Sequence, residues 1–391
     1  MAIAAKLPYG VSQMTNENSL PGDPIIRAAQ IVIPCPDLAS LLNLLTTTLG
    51  FSVDLVVPAD SPTTAVVSGH GVTLRLEQDA GRVRSPPPTL RLYCEGQGAA
   101  GVDRWTNDAL QIELASMHPA IDVPDGVQQF VLTRLDDAHS WHVGRAGMQY
   151  RDLIPGRLGG RFIASHIRIP AGGDVPDYVH FHRIRFQMIY CRAGAARLVY
   201  EDQGEPFEFR AGDCVLQPPE IRHRVLETSA GFEVVELGCP AVHETWADHR
   251  LQLPTGRALP DRLFGSQHFV RHIAAEAGWL RWMQGAHDTG FEARDLGIAR
   301  ATDGLAGARV VRGVRARAAT PSLSHEGEFL FYFVLHGRAV LESSALGQHA
   351  LDECDSCVIP AGAEFAWSAG GELEMLEVSL PPYAAAGVAG A

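Results

Sequence analysis

Four side chains in the middle of the chain have the types and spacing to hold a metal ion. His180 and His182 stand two apart in YVHFHR, Gln187 follows after four more residues, and His223 comes after the Pro218-Pro219 pair. On an extended strand, alternate side chains leave the same face, so the two imidazoles of His180 and His182 converge. An antiparallel barrel that brings the strands of Gln187 and His223 into register would gather three imidazoles and one amide oxygen around one point. Iron, manganese, nickel, zinc and copper ions all accept imidazole, so this donor set implies a divalent metal ion without naming it.

The same alternation places Tyr178 with the two histidines, Ile189 and Cys191 with Gln187, and Val225 with His223. The pocket wall is then largely apolar, and Tyr178 and Ile189 are expected to contact a substrate. Arg183, Arg222 and Arg224 fall on the opposite parity, toward solvent, whereas Arg185 lies in a turn. His166 and Arg168 share a face opposite Ile167 and Ile169. Arg168 is a candidate contact for a substrate anion, an outer-face position being the alternative. Gln187 is neutral, so an ion held by it and three histidines keeps a charge of about +2, where a carboxylate would lower it to about +1. Such an ion favours enolate, phenolate or carboxylate oxygens, and the set contains no carboxylate to act as a general base. The catalytic role of Gln187 is either that of fourth ligand or that of a hydrogen-bonding partner to a bound water or substrate oxygen.

Other signals carry less chemistry. His268, His272 and Glu276 have the i, i+4, i+8 spacing of one helix face, which more often marks a solvated face than a metal site. Cys354 and Cys357 form a CxxC without a second pair. His243 and His249 fall in a loop, exposed or part of a lid. No GxSxG, GxxxxGK or GxGxxG motif competes.

The elements that must position these residues are short strands. FIASHIRIP, YVHFHR, FQMIYCRAG, ARLVYED, FEFRAGDCVLQPP, HRVLE and FEVVELG are punctuated by Gly and Pro and predict a compact β-barrel or sandwich over 141–245. A helix is expected around DRLFGSQHFVRHIAAEAGWLRWM in a 246–290 connector, and strands resume over 291–383. An internal repeat links the two strand-rich regions. Arg151-Asp152-Leu153 recurs as Arg294-Asp295-Leu296, His182 as His325 and Gly194 as Gly337, each 143 positions on, with Pro218 and Pro360 142 apart. In that register Leu323, Leu330 and Phe365 replace three of the four donors. His325 remains, with Glu328 as one further carboxylate, and the second barrel is expected to be metal-free.

Ahead of the barrels, AAQIVIPCPD reads as a strand, DLASLLNLLTTTLGF as a helix capped by Asp37 and closed by Gly50, and FSVDLVV, TTAVVSG and VTLRLEQ as strands. This βαβββ order is assigned to 25–100, between a tail over 1–24 and a linking region over 101–140, with a second tail over 384–391. The whole is mainly β: two barrels in tandem after a small α+β module.

The composition agrees. With 391 residues, 46% hydrophobic and 20% charged, the chain is long enough for two or three domains and is not of disordered composition. A net charge of −13 disfavours nucleic acid. No apolar run approaches the roughly 18 residues of a membrane helix, and the N-terminus lacks a signal-like apolar stretch. Seven scattered cysteines read as buried thiols in a reducing, cytoplasmic compartment. A single βαβββ module leaves a sheet edge or face to cover, so a homodimer is expected.

Two family resemblances follow. His180, His182, Gln187 and Gly194 resemble the first motif of the cupin superfamily, with Gln where Glu is usual. Gly212, Pro218 and His223 resemble the second, with Glu220 where Gly is usual. The repeat extends this to a bicupin with jelly-roll barrels. IVIPCPDLASLLNLLTTTLGFSVD resembles a vicinal-oxygen-chelate (glyoxalase-like) module. Gln30 stands where that family often has a metal-binding His, and Glu77 could serve another ligand position, so a structural or dimerising module is expected. The cupin resemblance implies a mononuclear non-haem Fe(II) dioxygenase acting on a hydroxylated aromatic or β-dicarbonyl compound that chelates the metal through oxygen. The alternatives are a Zn- or Mn-dependent isomerase, cyclase or lyase, or a non-catalytic small-molecule-binding protein.

Overall fold

The structure is a computed structural model that describes residues 29–58, 62–79, 81, 86–94, 104–106, 108–116, 120–135, 141–143, 148–284 and 287–383. The two expected tails lie outside them. The chain divides into two compact units, Met1–Ala120 and Ile121–Ala391. No helix among the described residues is long and apolar enough to cross a membrane.

The first unit contains β1 (Ile31–Cys35), α1 (Leu38–Asn43), β2 (Ser52–Val57), β3 (Thr64–Gly69), β4 (Val72–Gln78), β5 (Thr89–Cys94), β6 (Arg104–Thr106) and β7 (Gln111–Ser116). The Asp37 carboxylate accepts the Ser40 amide at 3.0 Å and starts α1. The helix runs into a π turn, Leu44–Thr48, and Gly50 takes the left-handed conformation that ends it. Its apolar stripe buries Leu38, Leu41 and Leu45 on a sheet of order β1-β4-β3-β2, in which β1 and β4 are parallel. The predicted βαβββ order is therefore present. The linking region expected over 101–140 is divided instead: β6 and β7 form a three-stranded sheet with β5, and Leu110 and Ile112 join the core of this unit.

The second unit opens with β8 (Val131–Thr133), β9 (Trp141–Val143), β10 (Gln149–Asp152), β11 (Ile163–Ile169), β12 (Gly173–Asp174), β13 (His180–Arg183), β14 (Phe186–Ala193) and β15 (Ala195–Tyr200). It continues with β16 (Phe207–Arg210), β17 (Cys214–Leu216), β18 (His223–Thr228), β19 (Phe232–Cys239), β20 (Glu244–Ala247), β21 (Leu263–Phe264), β22 (Gln267–His268) and β23 (Val270–His272). Then come β24 (Leu280–Gln284), β25 (His287–Asp295), α2 (Ile298–Ala301), β26 (Gly307–Gly313), β27 (Ala318–Ala319), β28 (Phe329–His336), β29 (Ala339–Ser343), β30 (Gly347–Leu351), β31 (Ser356–Val358), β32 (Ala366–Ala369) and β33 (Glu374–Leu380).

These strands build two double-sheet barrels. One pairs the sheet β23-β17-β14-β19-β11-β10-β9 with β16-β15-β18-β13-β20; the other pairs β24-β25-β26-β33-β28-β31-β8 with β27-β32-β29-β30. The mainly β, tandem jelly-roll architecture expected from the sequence is what forms. Strand alternation organises three cores. Phe186, Met188 and Tyr190 of β14 meet Phe329, Phe331 and Phe333 of β28 in one seam shared by the barrels. The alternate residues, Ile189 and Cys191 or Leu330, Tyr332 and Val334, fill the separate interiors.

The helix expected in the connector does not form. Gly265 and Ser266 both adopt positive φ, which turns the chain into the β21-β22 hairpin, and β23 then pairs with the edge of β17. The β8 strand does the same for β31 of the other barrel. Each barrel's large sheet is thus finished by a strand from the segment that precedes its partner.

Candidate metal centre

His180 and His223 face each other directly across β13 and β18. His182 leaves the same face of β13, and the ligand atoms of all three lie within 4.8 Å of one another. The ring centroids of His180 and His223 are 4.2 Å apart, and His182 lies 5.2 and 5.3 Å from them. The Nδ1 atoms are held from behind. That of His180 donates to the Tyr178 carbonyl at 2.8 Å and that of His223 to the Ile221 carbonyl at 3.0 Å, while His182 Nδ1 lies 2.8 Å from Thr245 Oγ1. The two carbonyl bonds fix the tautomer of His180 and His223 with Nδ1 protonated and Nε2 the acceptor, as outer partners of metal-bound imidazoles commonly do. His180 and His223 are buried and His182 is half-buried. Three imidazoles turned toward one point fit a divalent ion.

Two amides line the same cavity as this cluster. Gln187 on β14 is 1% exposed; its Nε2 donates to Glu236 Oε1 at 2.5 Å, and its own Oε1 is buried without a partner. Gln217, at the end of β17, donates from Nε2 to His223 Nε2 at 2.8 Å, and its Oε1 is likewise unpartnered. Sequence reasoning named neither Gln217 nor Glu236. Gln217 could have been found beside the Pro218 turn of the second motif. Glu236 could not: it meets Gln187 only through the pairing of β14 with β19, 49 residues on.

The cluster opens into a cavity of about 520 Å³, walled by Ile163, Ile167, Ile169, Ile189, Phe232 and Val234. Tyr178, Ile189 and Val225 line it as the alternation predicts, whereas Cys191 is buried in the barrel core behind it. Tyr200 stacks on His223 at 5.4 Å, and burial pushes its phenol far above the ordinary value, so it stays protonated. His243 lines the cavity with its ring 5.4 Å from His182, and His249 leans on Tyr178 at 6.1 Å, so both loop histidines gather at this end of the barrel.

The arginines sort differently from expectation at two positions, Arg224 and Arg168. Arg183 pairs with Glu220 and Glu244, and Arg222 with Asp248, on the outer face as predicted; Arg224 borders the cavity. Arg168, the candidate anion contact, does not face the cavity. The odd-numbered residues of β11 do, and Arg168 leaves the other face, where it stacks 3.9 Å from the Trp141 ring and donates to Gln149 at 2.7 Å. Its neighbour His166 is buried in the seam beside Arg151 and Glu233. Burial depresses its basicity more than the Glu233 bond restores it.

The remaining candidates are separated by the fold. His268, His272 and Glu276 lie on β22, on β23 and in a 3-10 turn, so no helix face unites them. Glu328 is clamped in the seam by Arg185 at 3.0 and 3.1 Å and by Arg161 at 3.0 Å, and is no ligand in the second barrel. Cys354 and Cys357 are free buried thiols, as are Cys35, Cys191, Cys214 and Cys239. The His/Cys/Asp/Glu cluster described is the one candidate ion site of its kind among the described residues.

No family model and no curated sequence matches the chain. Solved structures do. The oxalate decarboxylase of Lactobacillus farciminis in its formate complex aligns at 15% identity and a TM-score of 0.47, over 67% of this chain and 88% of that one. Salicylate 1,2-dioxygenase from Pseudaminobacter salicylatoxidans aligns at 13% and 0.48, over 66% and 86%. Ylba from E. coli aligns at 11% and 0.46, over 67% and 94%.

Proposed function

We propose that the first barrel is a mononuclear metal-dependent cupin enzyme, a non-haem Fe(II) dioxygenase acting on a small hydroxylated aromatic or β-dicarbonyl compound. The observation that carries this reading is the convergence of His180, His182 and His223, each imidazole turned to one point at the end of an apolar cavity. His180, His182 and His223 would hold the ion, with the Gln187 amide oxygen as fourth donor. A divalent ion bound there supplies Lewis acidity and, as Fe(II), the electrons that activate O₂. Ile189 and Val234 exclude water and favour a flat apolar ring, and Tyr178 borders the cavity beside His180. A substrate's oxygens would then face the histidines while its carbon skeleton lies against the wall. The test is elemental analysis of protein purified without added metal, with oxygen uptake on a panel of phenols and β-dicarbonyls. One iron per chain and uptake that disappears in His180→Ala are expected.

Glu236 favours a second reading, a Zn- or Mn-dependent isomerase, cyclase or lyase, because it brings into the cavity a carboxylate that can accept a proton. Product formation without oxygen uptake would select it.

A further inference from the structure

We infer that Glu236 is a positioning residue for the metal centre: its carboxylate fixes the Gln187 carboxamide so that the amide oxygen, and not the nitrogen, is offered to the ion. This rests on the proposal that the three histidines hold a metal. A carboxylate has only acceptors to present, so at 2.5 Å the group of Gln187 that faces Glu236 must be its NH₂. The carbonyl oxygen is thereby turned away from Glu236, and it is left buried and without a partner in a side chain that lines the same cavity as the histidine cluster. A buried amide oxygen with no donor is costly unless a ligand completes it, and a cation is the ligand an oxygen completes. Gln187 thus gains the polarity of an oxygen ligand, and the negative charge missing from it is supplied one side chain further out.

The second barrel shows what the same carboxylate does without a site to serve. Glu377 occupies the matching place, opposite Tyr332 as Glu236 is opposite Ile189. There Arg309 grips it at 2.7 and 3.0 Å and the Tyr332 hydroxyl donates at 3.0 Å. In the first barrel the residue paired with Glu236 on β11 is Ser165, and the tyrosine is replaced by Ile189. The cationic and hydroxyl partners are both gone, and the carboxylate's hydrogen bond goes to Gln187.

The experiment is a competition titration of the metal-free full chain with Co(II), read with the Co(II) visible absorption, for the wild type and for Glu236→Leu, Glu236→Gln and His180→Ala. Glu236→Leu frees the amide to rotate and should weaken Co(II) binding by roughly 10- to 100-fold while altering the absorption bands. Glu236→Gln preserves shape but presents a donor as well as an acceptor and no charge, and should weaken binding by roughly 10-fold. Wild-type affinity and spectrum in Glu236→Leu, with binding lost in His180→Ala, overturn the role of Glu236 alone. Undiminished binding in His180→Ala overturns the metal centre and this inference together. Should Glu236→Leu fail to fold, Glu236→Gln decides, wild-type affinity there being the overturning result.

Discussion

The two barrels share a framework down to single hydrogen bonds and differ almost entirely in what fills one end of it. Arg151 of the first donates to the Cys354 carbonyl of the second, and its repeat counterpart Arg294 donates to the Gly212 carbonyl of the first. Asp213 accepts the Ala274 amide as Asp355 accepts that of Leu135. Arg168 lies on Trp141 as Arg312 lies on Trp279. Against that constancy, the directly paired His180 and His223 become the bridged pair Leu323 and Phe365, Gln187 becomes Leu330, and Gln217 becomes Ile359. Arg151, Asp213 and their counterparts survive in both barrels and hold the framework; of the four candidate donors His182 alone recurs, as His325, and the other three belong to the first barrel only. Arg168 belongs to the framework, which is why a substrate role fails for it.

The strongest way to break the comparison is to write the second barrel's residues into the first. His180→Leu combined with His223→Phe should abolish metal binding, lowering the ion count from one per chain to none by elemental analysis. The far-ultraviolet circular dichroism should stay unchanged, because Leu323 and Phe365 already pack at the matching places. A retained ion would place the metal elsewhere.

The next largest effect lies in the second barrel, where the cavity-facing carboxylate has become structural. Arg309→Met leaves Glu377, 3% exposed, without its cationic partner. Removing one member of a buried pair costs about 3–5 kcal/mol, and a loss of that size is expected in denaturant unfolding. Ser165→Ala, at the corresponding place beside Glu236, should change stability by less than about 1 kcal/mol.

What could be read from the sequence follows the reach of strand alternation. His180 and His182 share a face because they are two apart, and the repeat located Leu323 and Phe365 without a structure. Asp37 and Gly50 marked the ends of α1 by local chemistry alone. Glu236 and Gln217 required cross-strand register, which no local pattern encodes. The connector failed for a related reason: its helix-like apolar spacing was overridden by the open edge of β17, which β23 covers. For His166 and Arg168 the pattern gave the shared face correctly, but not that this face packs on a second barrel rather than on ligand or solvent.

The seam can be tested through pH. His166 accepts from Arg151 on Nδ1 and faces Glu233 with Nε2 at 2.9 Å, an arrangement of neutral imidazole, and burial lowers its pKa below the usual 6.5. Burial lowers His272 and His325 as well. An unfolded chain therefore binds protons that the folded one resists. Stability should be full above about pH 7 and fall as the pH drops through about 6.5, at no more than about 1.4 kcal/mol per pH unit for each histidine. His166→Gln, which can still accept and donate, should flatten the denaturation midpoint against pH; an unaltered slope would remove His166 from the account.

The smallest effect concerns one turn that both barrels make with different residues. The Gly362 amide donates to the His325 carbonyl at 2.8 Å, and the Glu220 amide to that of His182 at 2.9 Å. Both residues are left-handed, with φ of 78° and 62°. An added Cβ at Gly362 would meet nothing within 4 Å, so Gly362→Ala isolates the backbone cost and should destabilise by about 1 kcal/mol in denaturant titrations. Glu220 bears the same conformation while its carboxylate accepts from Arg183 Nε at 3.2 Å. Glu220→Gly relieves the backbone but loses that pair and loosens the unfolded chain, so the changes should nearly cancel, within about 0.5 kcal/mol. A large gain in Glu220→Gly would mean that the first barrel tolerates strain beside His182 and His223 without compensation from Arg183, and that the turn is held in place by the site rather than by its own contacts.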